Sequence, residues 1–469
     1  MRLLKTEIIF MGEKINKILR KPLYPYLYGL TFISFKSAQY SPSFSLSDAL
    51  GCFLIFSFSC YCIDRILAKF STSAYRSLSI IILFGSLLHV AGIAQLLGYN
   101  YAYIPTRFYL FFYLLILAII ITVRIIPLRF PDKYAPSLNK VINVFFLITT
   151  VVFIGYSYIN DGGKREQEGK TNQITHKNID TTKQKDIVWI LLDEYASTAS
   201  LKKQFGFHNP LDSVLHQKGF YVFDSIKTRF NNTLFSLNAI FHLDDSIRPS
   251  SFYAGVRSLR RSSWMSLLEK RGYQFVNLGF FDIGSHSKLA NRSGYPQTYI
   301  DQLLSGTLFS LVYGKLKYTP EKCDLYNQEV LHRLGDTLLH QGDQPRFIWA
   351  HLTIPHEPFC RNSKGIFLTG RSYDETDSAF IKKSYVEYLQ YGNSVILNLL
   401  KNHPELSRKI LIISGDHGPR YPWLKDKTYQ KWPFAAVLIP DSRDTVSLKK
   451  LQYISQLPVF LMDYPASTR

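Results

Sequence analysis

The stretch Ile410-Leu411-Ile412-Ile413-Ser414-Gly415-Asp416-His417-Gly418 decides how the chain is read. Four large aliphatic residues in succession suit a strand buried on both faces of a sheet. The polar residues after them end that run, and Gly415 and Gly418 permit a tight turn. Functional groups in open α/β sheets gather beyond the carboxyl ends of the strands. Asp416 and His417 therefore come first as candidates, offering oxygen and imidazole ligands to a divalent ion.

Other runs repeat the pattern. Ile187 to Leu192 leads directly into Asp193 and Glu194. A carboxylate at a strand end suits a hard metal ion, and it equally suits a helix cap or a surface acid. Phe347 to Leu352 contains His351 and continues as Thr353-Ile354-Pro355-His356-Glu357-Pro358-Phe359. The two prolines predict an extended loop around His356, which could contact a second metal or a phosphoryl oxygen. His351, inside the strand, reads as a core histidine or as part of the site. Phe275 to Phe281 and Ala435 to Ile439 are further β-rich runs, and helical patterns alternate with them. The expected domain is α/β.

A nucleophile is offered by Arg229-Phe230-Asn231-Asn232-Thr233-Leu234-Phe235-Ser236-Leu237-Asn238. Asn232 can cap a helix that starts at Thr233, placing that hydroxyl at the positive end of the helix dipole. A metal ion there would lower the hydroxyl pKa. Taken alone, Thr233 is an ordinary first-turn threonine.

The first third of the chain obeys different rules. Residues 1–160 hold 15 Lys+Arg and 5 Asp+Glu, while residues 161–469 hold 40 and 30, within a total net charge of +20. A membrane helix needs roughly 20 mostly apolar residues. Leu46–Leu67, Leu78–Leu97, Phe108–Val123 and Val141–Ile159 meet that need, and the shorter Leu23–Ser37 is counted as a fifth span, with Tyr24, Tyr26 and Tyr28 read as an interfacial belt. Basic residues crowd alternate connectors, from Arg2 to Lys21, around Arg65 and Arg76, and from Arg124 to Lys140. That bias puts the N-terminus in the cytoplasm and everything after the fifth span outside. The expected location is the cytoplasmic membrane, multi-pass, with an extracytoplasmic catalytic domain. The basic excess sets orientation, and no nucleic-acid motif accompanies it. The expected division is a membrane domain at 1–160, a polar linker at 161–185 and a catalytic domain at 186–469.

The four short motifs occur in an order that resembles the sulfatase and alkaline phosphatase superfamily. Spans followed by an external domain resemble its membrane-bound branch of lipoteichoic acid synthases and phosphoethanolamine transferases. The resemblance implies a central, mostly parallel sheet flanked by helices. It also implies that Asp193, Thr233, Asp416 and His417 hold metal, with Thr233 as the nucleophile of a phospho-threonine intermediate and His356 and His351 toward the substrate. The ligand chemistry favours Mn²⁺ or Zn²⁺, with Mg²⁺ possible. The expected activity moves a phospho-alcohol head group, of phosphoethanolamine or phosphoglycerol type, from a membrane lipid to an extracytoplasmic glycan or lipid. The alternatives are a hydrolase of phosphate or sulfate esters, and a non-catalytic membrane scaffold.

Three departures from the family pattern bear on this. The Cys/Ser-x-Pro-x-Arg sequence that sulfatases modify is absent from the chain, and His417 is its last histidine. A single-metal site follows. The external part has two cysteines, Cys323 and Cys360, so one disulfide at most can form there.

Overall fold

The computed structural model describes residues 2–40, 46–69, 76–89, 131–162, 184–249, 252–289, 303–304, 307–309, 319–340, 342–368, 377–421, 423–424, 426–440 and 445–463. Two compact units emerge. One is Met1–Gln173 with Tyr295–Leu316, and the other is Ile174–Gly294 with Lys317–Arg469.

The first unit is helical: α1 (Arg2–Leu19), α2 (Tyr24–Tyr40), α3 (Leu46–Leu67), α4 (Arg76–Leu88) and α5 (Ala135–Gly162). Pro25 lies in the first turn of α2, where its missing N–H costs no helix hydrogen bond. Among the described residues two stretches, Ser47–Leu67 and Asp132–Tyr156, are long and apolar enough to cross a membrane, and Arg76–Leu88 is a shorter apolar helix. The window Phe108–Val123 and the end of Leu78–Leu97 lie outside the described residues, so the five-span reading is only partly met. The tyrosine belt is not what forms: Tyr24 and Tyr28 are buried, with the Tyr28 ring 5.6 Å from that of Phe146. Packing against α5 takes the side of α2 that the belt needed. At the same interface the Thr31 and Thr150 hydroxyls lie 2.7 Å apart, and Asn143 Nδ2 donates to Leu19 O and Lys21 O, both at 2.7 Å.

Among the described residues the second unit is built on six strands: β1 (Ile187–Leu192), β2 (Tyr221–Val222), β3 (Gln274–Leu278), β4 (Arg346–Leu352), β5 (Ile410–Gly415) and β6 (Ala435–Leu438). Their order is β2-β6-β5-β1-β4-β3. β3, β4, β1 and β5 run parallel, while β6 is antiparallel to β5 and β2 to β6. The sheet is therefore mixed, with a parallel centre. β1, β4 and β5 are buried at every position, as strands covered on both faces must be. On one face Trp189, Trp264, Trp349, Phe241 and Phe347 form an aromatic core, with Trp189 5.7 Å from both other tryptophans.

One carboxylate ties the amino ends of the three central strands. Asp186 accepts from Arg346 N at 2.8 Å, from Arg346 Nη2 at 2.9 Å and from Lys409 Nζ at 2.7 Å, and its own carbonyl accepts from Ile410 N at 2.9 Å. Burial alone would raise the Asp186 pKa, but hydrogen bonds from Lys409 and Arg346 outweigh it and hold the group below the ordinary value. Its contribution to stability is then complete above the unfolded value of about 3.9 and fades as pH falls through the folded value. All five tryptophans lie between 189 and 432, so their fluorescence reports this unit alone. Asp186→Asn should lower the unfolding midpoint at neutral pH by the equivalent of about 2 kcal/mol. The gap between variant and wild type should narrow toward pH 3, and an unchanged midpoint at pH 7 would remove Asp186 from this role.

Candidate active site

Because β1 is fixed on both sides, the chain leaving it is aimed. Leu192 pairs with Leu352 of β4 and with Gly415 of β5, so Asp193, Thr353 and Asp416 are the next residues of three neighbouring strands. Asp193 N–H donates to Leu352 O at 2.9 Å. Glu194 then takes φ 63°, a left-handed conformation that costs a non-glycine residue free energy and persists only under outside constraint. The constraints are visible: Glu194 N–H donates to Asp416 Oδ1 at 3.0 Å, and Tyr385 OH donates to Glu194 O at 2.7 Å. Below it, Tyr195 OH donates to Asn393 Oδ1 at 2.5 Å and accepts from Asn209 Nδ2 at 2.9 Å.

The glycines beside Asp416 serve a purpose other than a turn. A Cβ on Gly415 would lie 2.4 Å from Tyr195 O, and one on Gly418 would lie 2.4 Å from Tyr429 O. Close backbone approach, which no side chain allows, is what requires glycine there.

Helix α6 (Thr233–His242) begins as its cap foretells, with Asn232 Oδ1 accepting from Leu234 N at 3.1 Å and Phe235 N at 3.4 Å. Thr233 Oγ1 donates to Asp193 Oδ1 at 3.2 Å and lies 3.3 Å from His417 Nε2. Asp193, Asp416 and His417 present ligand atoms within 4.8 Å of one another, and all three are fully buried. The structure thus brings together Asp193, Thr233, Asp416 and His417.

The chemistry of this set fits a cation. His417 Nδ1 donates to Gly418 O at 2.8 Å, so the neutral ring presents an electron pair at Nε2, which lies 3.3 Å from Asp416 Oδ2. Two electron-rich atoms face each other there, and Asp416 Oδ2 is buried without a hydrogen bond. Burial, then the charge of Asp193, pushes Asp416 up to about 7. Burial, then Arg420, brings His417 down to about 4, which keeps the ring neutral and able to ligate. A divalent ion would supply the partner that Asp416 Oδ2 and His417 Nε2 call for.

The two other histidines part ways. His351 is fully buried, its ring 4.3 Å from that of Phe280 and its Nε2 3.9 Å from Asp193 Oδ2. It stands behind the carboxylate. His356 forms a second group with Glu194 and Glu357, whose ligand atoms lie within 4.8 Å of one another. The loop around it is bent instead of extended, with cis bonds at Ile354–Pro355 and Glu357–Pro358. Arg420, which sequence reasoning passed over, donates through Nε to Glu194 Oε1 at 2.8 Å and through Nη2 to His356 Nε2 at 3.2 Å. Its signal was its place two residues past Gly418. Cys323 and Cys360 carry thiols and no disulfide joins them; burial, then Cys323, pushes Cys360 up to about 12.

Residues 217–440 match the family model described as Sulfatase, a span that holds Thr233, His351, His356, Asp416 and His417 and leaves Asp193 outside. That span is just under half of the chain, which thus carries a sulfatase-type domain, the domain of an enzyme. Similar solved structures include the integral membrane lipooligosaccharide phosphoethanolamine transferase A from Neisseria meningitidis, at 11% identity over 92% of this chain and 91% of that one, TM-score 0.41. The periplasmic domain of phosphoethanolamine transferase EptC from Campylobacter jejuni is 18% identical over 57% of this chain and 82% of that one, TM-score 0.37. The lipoteichoic acid synthase LtaP from Listeria monocytogenes is 12% identical over 60% and 72%, TM-score 0.36. At 11–18% identity and TM-scores below 0.5, these likenesses carry no inference about activity. No curated protein matches the chain.

Metal-stripped protein given Mn²⁺ or Zn²⁺ should unfold later by tryptophan fluorescence, by about 2.7 kcal/mol at a hundredfold excess over Kd. Asp416→Ala should abolish the rise, and a rise that survives this change would place the metal elsewhere.

Proposed function

We propose that this chain is a membrane-anchored phosphotransferase that takes a phospho-alcohol head group from a lipid and passes it, by way of phospho-Thr233, to an extracytoplasmic glycan or lipid. One observation carries the reading: a buried threonine hydroxyl at a capped helix start donates to one carboxylate and touches a neutral imidazole, inside a sulfatase-family domain. A sulfatase of the modified-residue kind needs Cys/Ser-x-Pro-x-Arg, and the hydroxyl of Thr233 stands in the nucleophile's place.

Asp193, Asp416, His417 and Thr233 would hold the divalent ion. When bound it would supply positive charge that lowers the hydroxyl pKa and offsets charge on phosphoryl oxygens. The chain does the rest. Asn232 and the first turn of α6 fix the Thr233 oxygen, and Asp193 Oδ1 orients the hydroxyl proton. The Thr233 oxygen attacks phosphorus in line, the P–O bond to the lipid breaks, and the proton that the Thr233 hydroxyl gives up ends on the leaving diacylglycerol oxygen. An acceptor hydroxyl then attacks the phospho-threonine and returns the free Thr233.

The helical unit supports the lipid part of this reading. Ser47–Leu67 and Asp132–Tyr156 direct Leu54, Ile55, Phe58, Val141, Phe145 and Val151 outward, as lipid-covered helices do. A multi-pass anchor with an outside catalytic unit keeps enzyme and lipid at high effective concentration.

Full-length protein in detergent, with Mn²⁺ or Zn²⁺, should release diacylglycerol from labelled phosphatidylethanolamine or phosphatidylglycerol. Thr233→Ala should lower that rate at least about a thousandfold, while Thr233→Ser keeps measurable turnover. Release that persists in Thr233→Ala would end the phospho-threonine route. Free head group formed without any acceptor would turn the reading to a hydrolase.

A further inference from the structure

The donors Glu194, His356 and Glu357 look like a second metal site beside the first, with ligand atoms within 4.8 Å of one another. The space between two of them is already taken. Arg420 Nε donates to Glu194 Oε1 at 2.8 Å, and Nη2 donates to His356 Nε2 at 3.2 Å. A guanidinium keeps its charge at any working pH, and it brings five N–H groups in a planar fork.

We propose that Arg420 is the built-in second cation of this site, standing where Glu194, His356 and Glu357 would otherwise gather a metal ion, and that it binds an oxygen of the anionic group being transferred. Glu194 anchors it from beneath, since its side chain is 2% exposed. Glu194 Oε2 is buried without a hydrogen bond and belongs to the same cluster, so the anchor has capacity to spare. The Arg420 side chain is 33% exposed, so a ligand can reach the fork from solvent. The two clusters are continuous: Glu194 Oε1 is 4.0 Å from His417 Nδ1, and His417 Nε2 is 3.3 Å from Thr233 Oγ1. An oxyanion near Thr233 would thus lie between an exchangeable cation and a covalently held one. Fork-shaped donors suit two oxygens of a phosphate or sulfate group. That choice of ligand rests on the phosphotransfer reading above, whereas the place of the second cation does not.

The experiment measures bound metal per chain and inorganic phosphate affinity in full-length protein reloaded with Mn²⁺ or Zn²⁺, for wild type, Arg420→Ala, Arg420→Lys and Arg420→His. Wild type should hold one metal ion. Arg420→His adds an imidazole to the donors Glu194, His356 and Glu357 and should take up a second. Phosphate affinity should fall about 10- to 100-fold in Arg420→Ala with the first metal retained, recover in part with added guanidinium ion, and be intermediate in Arg420→Lys. Two metal ions in wild type would overturn the proposal. So would unchanged phosphate affinity in a metal-loaded Arg420→Ala whose tryptophan unfolding matches wild type. Neither readout needs a lipid donor, so a wrong head group would leave both intact, and a failure here would leave the Thr233 dependence of lipid cleavage standing.

Discussion

Everything at the site depends on β1 being held between two parallel neighbours. Its six residues pair in continuous register with β4 on one side and β5 on the other. A slip of one residue against either neighbour would turn each side chain to the opposite face, and Asp193 and Asp416 would no longer leave the sheet together. The register is guarded at both ends. Asp186 binds Arg346 and Lys409 where the strands begin, and Asp416 accepts from Glu194 N–H where they finish. Between these ends, Trp189 Nε1 donates to Ser414 Oγ at 2.8 Å and joins β1 to β5 through side chains.

That frame allows the site to be unfavourable on its own terms. Two carboxylates, a neutral imidazole and a strained Glu194 share one fully buried corner, and each feature costs free energy in isolation. Burial of large aromatic side chains offsets such costs, because each removes 150–250 Å² or thereabouts from water. Trp189, Trp264 and Trp349 do this within one face of the same sheet that presents the site. The local strain persists because Tyr385, Asn209 and Asn393 pin the turn after β1 through a buried hydrogen-bond network.

What could be read in the sequence follows from the range of each interaction. The run Ile187 to Leu192 coincides with β1, and the Asn232 cap with the start of α6, because hydropathy and capping act within a few residues. The strand ends therefore announced Asp193, Asp416 and His417. Long-range contacts left no such trace. The two-residue β2 exists through its pairing with β6, and Tyr28 is buried because α5 arrives from more than a hundred residues away. Arg420 has meaning only once Glu194 turns back at φ 63° to meet it. The need for glycine at 415 and 418 is likewise set by carbonyls at 195 and 429.

The helical unit, with two stretches long and apolar enough to cross a membrane, distributes its side chains differently. In water, apolar residues collect inside and polar ones face out. Here the polar contacts Thr31 to Thr150 and Asn143 to the α1–α2 corner sit inside, while Leu54, Ile55, Phe58, Val151 and Val152 face outward. Between helices in lipid the hydrophobic effect gives no net attraction, so small-residue packing and hydrogen bonds must hold them together. Gly29 shows the first of these: a Cβ at that position would collide with the Phe56 ring at 2.2 Å, so α2 and α3 approach as closely as they do only because that side chain is missing.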